Sequence, residues 1–428
     1  MVRSIVHTLG SRLIIAVFNL VLLFITTKLM GAENKGEISL LVLNLSVVAI
    51  ISGLFGGPSL VYLVPRFSMK NILVINYTWS LIASLFVTVF LSFEFLPSNI
   101  PLEKFFFLSL MECIVATHLM ILLGKEKVAH HNYLQIIKIA VVISFLLYYK
   151  FMGESLNYSS FEMAYSFGLG STFIVSILAL FAKQSESPPA TTLKNTLRAC
   201  LKFGATVQFG NIAQLLNYRL SFYFLEIMIF PPQLALIRIG IYSATLQVSE
   251  ALWQFARSVS VVQYSAISNM EDKLTGLRIS MQLARLNGSV TMLGILFLGI
   301  LPQSIYLFIF GEEFSEIKSH FLILAPGILA LSYSNAFSHF FAGIGLHRIN
   351  TESSVFGLIL TVLLGIPSIF YFGTLGAAGA ASVVYLAQTG YQYVRLNKKY
   401  GTGLSELIPD GDDLKKLLSL YKNSTKTK

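Results

Sequence analysis

The chain has 428 residues, of which 55% are hydrophobic and only 12% charged. Soluble domains carry about 25% charged residues, so too few charges remain to cover a water-facing surface, and the bilayer must be the solvent for most of the chain. That leaves no room for a soluble catalytic domain. The apolar runs are also long and nearly unbroken, which excludes a transmembrane barrel of short alternating strands. A net charge of +10 would suggest nucleic acid in a soluble protein. Here its placement along the chain decides its meaning, and nucleic acid is not an expected partner.

Crossing the hydrocarbon takes about 20 mainly apolar residues. The N-terminus has a charged start and then an apolar run from Leu13 to Met30. That run is long for a signal-peptide core, and no small-x-small cleavage site follows, so it reads as a retained first helix. The pattern predicts helices at 12–30, 38–64, 71–93, 104–124, 131–151 and 160–182. Six more follow at 201–228, 235–267, 278–301, 318–342, 350–371 and 374–397. The eighth has the least marked start, because Arg238 sits early in it. The expected fold is therefore all-α and polytopic, with about 12 transmembrane helices.

The longest internal polar stretch runs from Lys183 to Lys202 and contains Ser187-Pro188-Pro189. Six predicted spans precede it and six follow. The chain is expected to divide into an N-terminal lobe (1–182), a cytoplasmic linker (183–200), a C-terminal lobe (201–397) and a cytoplasmic tail (398–428). A faint repeat agrees: Gly36-Glu37-Ile38-Ser39 opens the second span, and Gly240-Ile241-Tyr242-Ser243 opens the eighth. Six is even, so the lobes would share one topology. The tail is polar, with one amphipathic patch at Leu414 to Leu418.

Orientation follows from lysine and arginine in the loops. One set of loops holds Arg66, Lys70, Lys125, Lys127, Lys183, Lys194, Arg198, Lys202, Lys273, Arg278 and Arg285. The alternate loops hold Glu33, Glu37, Glu94, Glu103, Glu154, Glu162, Glu312, Glu313 and Glu316. The strict alternation supports twelve spans and predicts both termini in the cytoplasm. Cys113 falls in a span and Cys200 in an inside loop, so neither reads as a disulfide partner.

Charges inside spans are expensive and usually face protein or a water-filled cavity. The candidates are Lys28, Glu112, Lys138, Arg219, Glu250 and Arg257. Four positive against two negative leaves a surplus of +2, which favours an anionic passenger. In the eighth helix Gln247, Glu250, Gln254 and Arg257 recur at spacings of three, four and three, within an arc of about 80°. In the seventh, Gln208, Asn211 and Arg219 share an arc of about 80°. Two polar stripes suggest a lined cavity; the alternative is that Glu250 pairs with a neighbouring cation and the amides bond across helices. Arg219 and Arg257 are the expected anion ligands, because a guanidinium stays charged when buried and can grip a phosphate through two parallel bonds. Lys28 either snorkels to the interface or joins the cavity. Lys138 is expected to snorkel to the cytoplasmic headgroups. Glu112 and Glu250 are the candidate ion-coupling groups. His118, His339 and His347 are isolated, with no metal-ligand spacing. No metal or cofactor is expected. No phosphate loop of the form G-x-x-x-x-G-K-[ST] occurs, so the chain itself is not expected to hydrolyse ATP.

Several segments together resemble polysaccharide-export flippases of the O-antigen (Wzx-type) branch of the multidrug/oligosaccharidyl-lipid/polysaccharide (MOP) superfamily. Thr27 to Gly36 is similar to the first loop of that family, and Gly56 to Arg66 to the end of its second helix. Gln208 to Ile212 and Leu216 to Leu220 resemble its seventh helix. Phe310 to Phe314 with Leu324 to Ile328 resembles its ninth-to-tenth region, and Gly376 to Ala381 the start of its last helix. The resemblance covers about 1–397. It implies two six-helix lobes of the MATE type in a bacterial inner membrane, alternating access, and outward transport of an undecaprenyl-pyrophosphate-linked oligosaccharide. It also implies coupling to an H⁺ or Na⁺ gradient, contact with membrane lipids, and other glycan-assembly membrane proteins as candidate partners. The fourteen-helix lipid II flippases should fit less well, because two further spans are lacking. A multidrug or cation antiporter of the same superfamily is the alternative, though its cavity should be acidic. A membrane glycan polymerase or ligase would need a sizeable outside loop, and none is visible.

Overall fold

The computed structural model describes residues 2–92, 100–181, 191–268 and 272–408. Within its helices, side chains are described except at 2–9, 13, 181, 206–207, 254–266 and 268. The described residues contain no strand. In chain order the helices are α1 (Val2–Phe24), α2 (Gly31–Gly56), α3 (Ser59–Leu63), α4 (Met69–Leu91), α5 (Leu102–Gly124), α6 (Val128–Phe151), α7 (Tyr158–Phe181) and α8 (Leu193–Met228). Then follow α9 (Pro232–Ser268), α10 (Lys273–Ile300), α11 (Gln303–Phe310), α12 (Ile317–Gly343) and α13 (His347–Tyr400). The stretch 409–428, with its amphipathic patch, and residues 183–190 of the expected linker lie outside the described residues.

Among the described residues, nine helical segments are long and apolar enough to cross a bilayer. One of them is α13, whose 54 residues would span about 80 Å if straight. It is two helices joined at Gly373, where φ is 57° and ψ is −131°. A side chain is strained in that conformation and glycine is not, so the chain reverses there without a loop. The break falls between the two spans expected at 350–371 and 374–397. The long helices α8 and α9 fall short on hydropathy because of their polar stripes. Counting them gives the twelve expected spans of a multi-pass membrane protein.

Most boundaries lie within a few residues of expectation, with two consequences. First, α2 begins at Gly31 rather than at 38, and α2 and α3 are separated by a break at Gly57-Pro58. Lys35 and Glu37, which read as loop residues, are therefore drawn into the helix and buried. Lys35 Nζ donates to Thr26 Oγ1 at 3.2 Å. Second, α8 begins at Leu193, so Cys200 is a helical residue and fully buried rather than in a loop. Cys113 and Cys200 are both free thiols.

The chain divides into two compact units, residues 1–215 with 231–240, and residues 216–230 with 241–428. The first unit packs around Leu41, Leu45, Phe105, Leu146, Phe161 and Leu169. Its second apolar cluster, at Leu60, Leu63, Ile72 and Ile121, also takes in Cys200. The second unit packs around Met281, Ala284, Phe337, Phe340, Phe341 and Leu396. The Gly/Ala run after Gly373 supplies fully buried Ala377 and Ala378, as expected of small residues at close helix contacts.

The two repeat motifs meet each other within the first unit. A methyl group on Gly36 would overlap the carbonyl oxygen of Leu236, and one on Gly240 would overlap that of Ala32. Each glycine thus admits the backbone of the other's helix, and α2 and α9 touch backbone to backbone at this crossing.

The start of α10 is capped. Asp272 accepts hydrogen bonds from the Leu274 and Thr275 amides at 2.9 and 3.2 Å, and from the Thr275 hydroxyl at 2.6 Å. The Thr275 hydroxyl, then the Leu274 amide, hold its carboxyl below the ordinary carboxylate range. The folded value is the lower one, so the cap is fully present above the unfolded pKa and is lost as pH falls through the folded pKa. We expect Asp272→Ala to speed hydrogen exchange at Leu274 and Thr275 at neutral pH, with Asp272→Asn nearly silent because asparagine caps as well.

Candidate functional site

Among the described residues, each unit carries a largely buried ion pair at mid-span. In the first unit, Lys138 of α6 donates to both carboxylate oxygens of Glu112 on α5, at 2.8 and 2.7 Å. It also donates to the Tyr165 hydroxyl of α7 at 2.8 Å, and that hydroxyl donates to Glu112 Oε2 at 3.1 Å. The ammonium also lies 4.6 Å from the centroid of the Tyr165 ring. Lys138 therefore does not snorkel to the headgroups. Its side chain is only 21% exposed and that of Glu112 20%. The physical reason is register. Helices α5 and α6 form a hairpin, and the two residues lie at similar distances from its turn, so the ammonium meets a carboxylate before it can reach water.

A second polar chain crosses the same unit. The Tyr77 hydroxyl and His118 Nε2 are 2.5 Å apart, and His118 Nδ1 lies 2.7 Å from Ser176 Oγ. His118 is fully buried. It packs and hydrogen-bonds, as an isolated histidine should. Among the described residues no group of three or more His, Cys, Asp or Glu is placed to hold a metal.

In the second unit, Arg219 of α8 and Glu250 of α9 form an ion pair at 2.7 Å, with side chains 27% and 21% exposed. This is the pairing that was the alternative to an open cavity lining. Aromatic rings cluster nearby. Tyr218 lies 5.7 Å from Trp253 and 5.6 Å from Tyr385, centroid to centroid, and Phe222 lies 5.6 Å from Tyr242. The Arg219 guanidinium is 5.8 Å from the Phe222 ring. Asn217 Nδ2 donates to the Ser354 carbonyl at 2.8 Å, and the Thr361 hydroxyl to Asn217 Oδ1 at 3.3 Å. These bonds tie α8 to α13 one residue before the aromatic wall.

The other expected residues are distributed as follows. Gln208 and Asn211 share a helix with Arg219 but fall in the first unit. Gln208 Nε2 donates to the Ile50 carbonyl of α2, and Asn211 Nδ2 to Gln208 Oε1 at 3.3 Å. The stripe on the seventh span is thus shared between the units. Gln247 is partly buried in the second unit, and Lys28 is exposed in the π turn Ile25–Leu29 that ends the first span. The side chains of Gln254 and Arg257 lie outside the described residues; their backbones are helical, within α9.

The sequence reading missed three features. Tyr165 completes the Lys138 site. Tyr242 and Tyr385 wall the Arg219 site. Glu226 of α8 has a carboxylate oxygen buried without a hydrogen-bond partner. Tyrosine in a membrane span carries no periodicity of its own, so these rings leave no mark in the sequence pattern.

No protein-family model matches the sequence, and no curated protein matches it. The fold does match solved structures. A lipid II flippase, MurJ, in an inward closed conformation superposes with a TM-score of 0.72 at 15% identity, over 99% of this chain and 93% of that one. A multidrug resistance MATE family transporter of the MOP superfamily, inward-facing, gives 0.65 at 14% identity, over 91% and 96%. A MOP superfamily transporter from Pyrococcus furiosus Vc1, whose binding pocket is described as of reverse polarity, gives 0.63 at 15% identity, over 91% and 93%. The chain is a multi-pass membrane protein with the fold of MOP superfamily transporters.

Proposed function

We propose that the chain is a flippase that moves an undecaprenyl-pyrophosphate-linked oligosaccharide from the cytoplasmic to the outer leaflet of a bacterial inner membrane. The observation that carries this reading is the Arg219 guanidinium at mid-span, next to the Phe222 ring and the adjoining rings of Tyr242, Tyr218, Tyr385 and Trp253. Phosphate is a bidentate partner for a guanidinium, and rings with an apolar body and a polar tip suit a sugar surface. The lipid tail would stay in the bilayer while the headgroup crosses by alternating access. Both termini face the cytoplasm in this reading, as the loop charges indicate.

The paired state of Arg219 suggests how transport is coupled. An arriving pyrophosphate competes with Glu250 for the guanidinium. A carboxylate displaced within the membrane takes up a proton or a Na⁺ to avoid an uncompensated charge. Glu112, paired with Lys138 and Tyr165, is the corresponding group in the first unit. The guanidinium of Arg219 favours an anionic substrate over the cations of a multidrug antiporter, the second reading.

Arg219→Ala and Arg257→Ala should each abolish surface-glycan export while the protein remains in the membrane. Export assays in a strain lacking its own copy, with immunoblots of the membrane fraction, test this. Full export in both variants would overturn the site assignment.

A further inference from the structure

A charged cluster lies at one end of the second unit, remote in sequence from the Arg219 pair. Glu352, near the start of α13, is held by three groups. Arg348 Nε donates to its Oε1 at 2.9 Å, Arg395 Nη2 to its Oε2 at 2.9 Å, and the Tyr391 hydroxyl to Oε2 at 2.7 Å. Arg395 also donates to the Tyr391 hydroxyl through Nε at 2.9 Å. Two guanidiniums on one carboxylate leave a positive surplus, and Lys398 and Lys399 add to it in the next turn. Arg348 uses only its Nε on Glu352, and its side chain is 89% exposed. The remaining donors of its fork point outward.

Below this rim runs an apolar wall. Glu352, Phe356, Ile359, Leu363, Ile366 and Phe370 follow one another at spacings of four, three, four, three and four along α13. That spacing places them on a single face. The five apolar members are all exposed. An open groove of 390 Å³ connects the two features, lined by Arg348, Thr351, Glu352, Val355, Phe356 and Ile359. From Arg348 to Ile359 the helix rises about 16 Å, close to the half-thickness of a hydrocarbon core of about 30 Å.

We propose that this groove is a binding site for an anionic phospholipid. Its phosphate sits on Arg348 at the rim, within the field of Arg395, Lys398 and Lys399, and an acyl chain lies along Phe356, Ile359 and Leu363. Charge surplus at headgroup level above an exposed apolar stripe fits a lipid and not a soluble anion. Basic pockets at helix ends hold lipid headgroups by the same means. Glu352 organises the arginines, because one carboxylate bridging both fixes their spacing. The site is independent of the flippase reading and of the substrate path through Arg219.

The test uses the purified full-length protein in detergent. Native mass spectrometry counts retained lipid with added phosphatidylglycerol, with phosphatidylcholine, and with inorganic phosphate alone. The wild type should retain at least one phosphatidylglycerol under conditions that strip phosphatidylcholine. Its melting temperature should rise by about 2–4 °C with phosphatidylglycerol, and not with inorganic phosphate. Arg348→Gln, at an exposed position that cannot unfold the helix, should weaken retention at least tenfold, and Arg348→Gln with Arg395→Gln should remove it. Equal retention of the two lipids, an equal shift with inorganic phosphate, or unchanged retention in both variants would overturn the proposal.

Discussion

Lys138→Met should be among the most damaging single substitutions in the first unit. Methionine keeps the length and loses the charge. Glu112, only 20% exposed, then keeps the Tyr165 hydroxyl and loses the ammonium. Removing one partner of a buried pair costs about 3–5 kcal/mol. That is a large part of the about 5–15 kcal/mol by which folded proteins are stable. We expect less protein in the membrane and a lower melting temperature in detergent. The double variant Lys138→Met with Glu112→Gln should recover most of the loss, because neither buried charge is then left alone. A single variant as stable as the wild type would show that water reaches the pair freely. The double variant also separates structure from coupling. If Glu112 takes part in ion coupling, that protein is stable yet transports nothing.

The second large effect is expected at the crossing of α2 and α9. Gly240→Val places a branched side chain where the Ala32 carbonyl now lies, and Gly36→Val does the same against Leu236. Neither obstacle is a flexible side-chain end; both are backbone, so the helices must separate. Overpacking of this kind costs about 1–3 kcal/mol, occasionally more. The two substitutions act on one crossing, so their effects should not add. Once the first has pushed the helices apart, the second meets less resistance. Gly170→Val is the control, since nothing lies within 4 Å of the position its side chain would take. Thermal melts of the wild type, the two crossing variants, their double and the control test this, and full additivity of the two crossing variants would contradict it.

Much of the architecture was legible because the bilayer imposes one rule on every span. Length, apolar runs and alternating loop charge sufficed for the helix order and for the break at Gly373. The motif at Gly36 and Gly240 was visible only as a repeat. Its contact was not, because sequence similarity does not say that two copies touch. The edges of α2 and α8 were misplaced for a physical reason. Lys35, Glu37 and Cys200 sit in polar flanks that read as loops, yet they are helical and buried against neighbouring spans. Several intramembrane charges were visible in the sequence, but their partners were not. Glu112 and Lys138 could have been paired from hairpin register. Arg219 and Glu250 could not, since they stand 12 and 19 residues from Pro231 and no register rule joins them. The aromatic wall was invisible for a simpler reason: tyrosine and tryptophan in a membrane span look like ordinary apolar filling until the fold brings them to a charge.

The central claim is best tested by reconstitution. Purified protein in sealed vesicles is given a labelled polyprenyl-pyrophosphate oligosaccharide in the inner leaflet, and its appearance outside is followed with a lectin or a hydrolase that cannot enter. The account predicts protein-dependent translocation that accelerates with an imposed H⁺ or Na⁺ gradient and disappears in Arg219→Ala. Vesicles that expel a cationic dye along such a gradient, while the lipid-linked oligosaccharide stays inside, would contradict it.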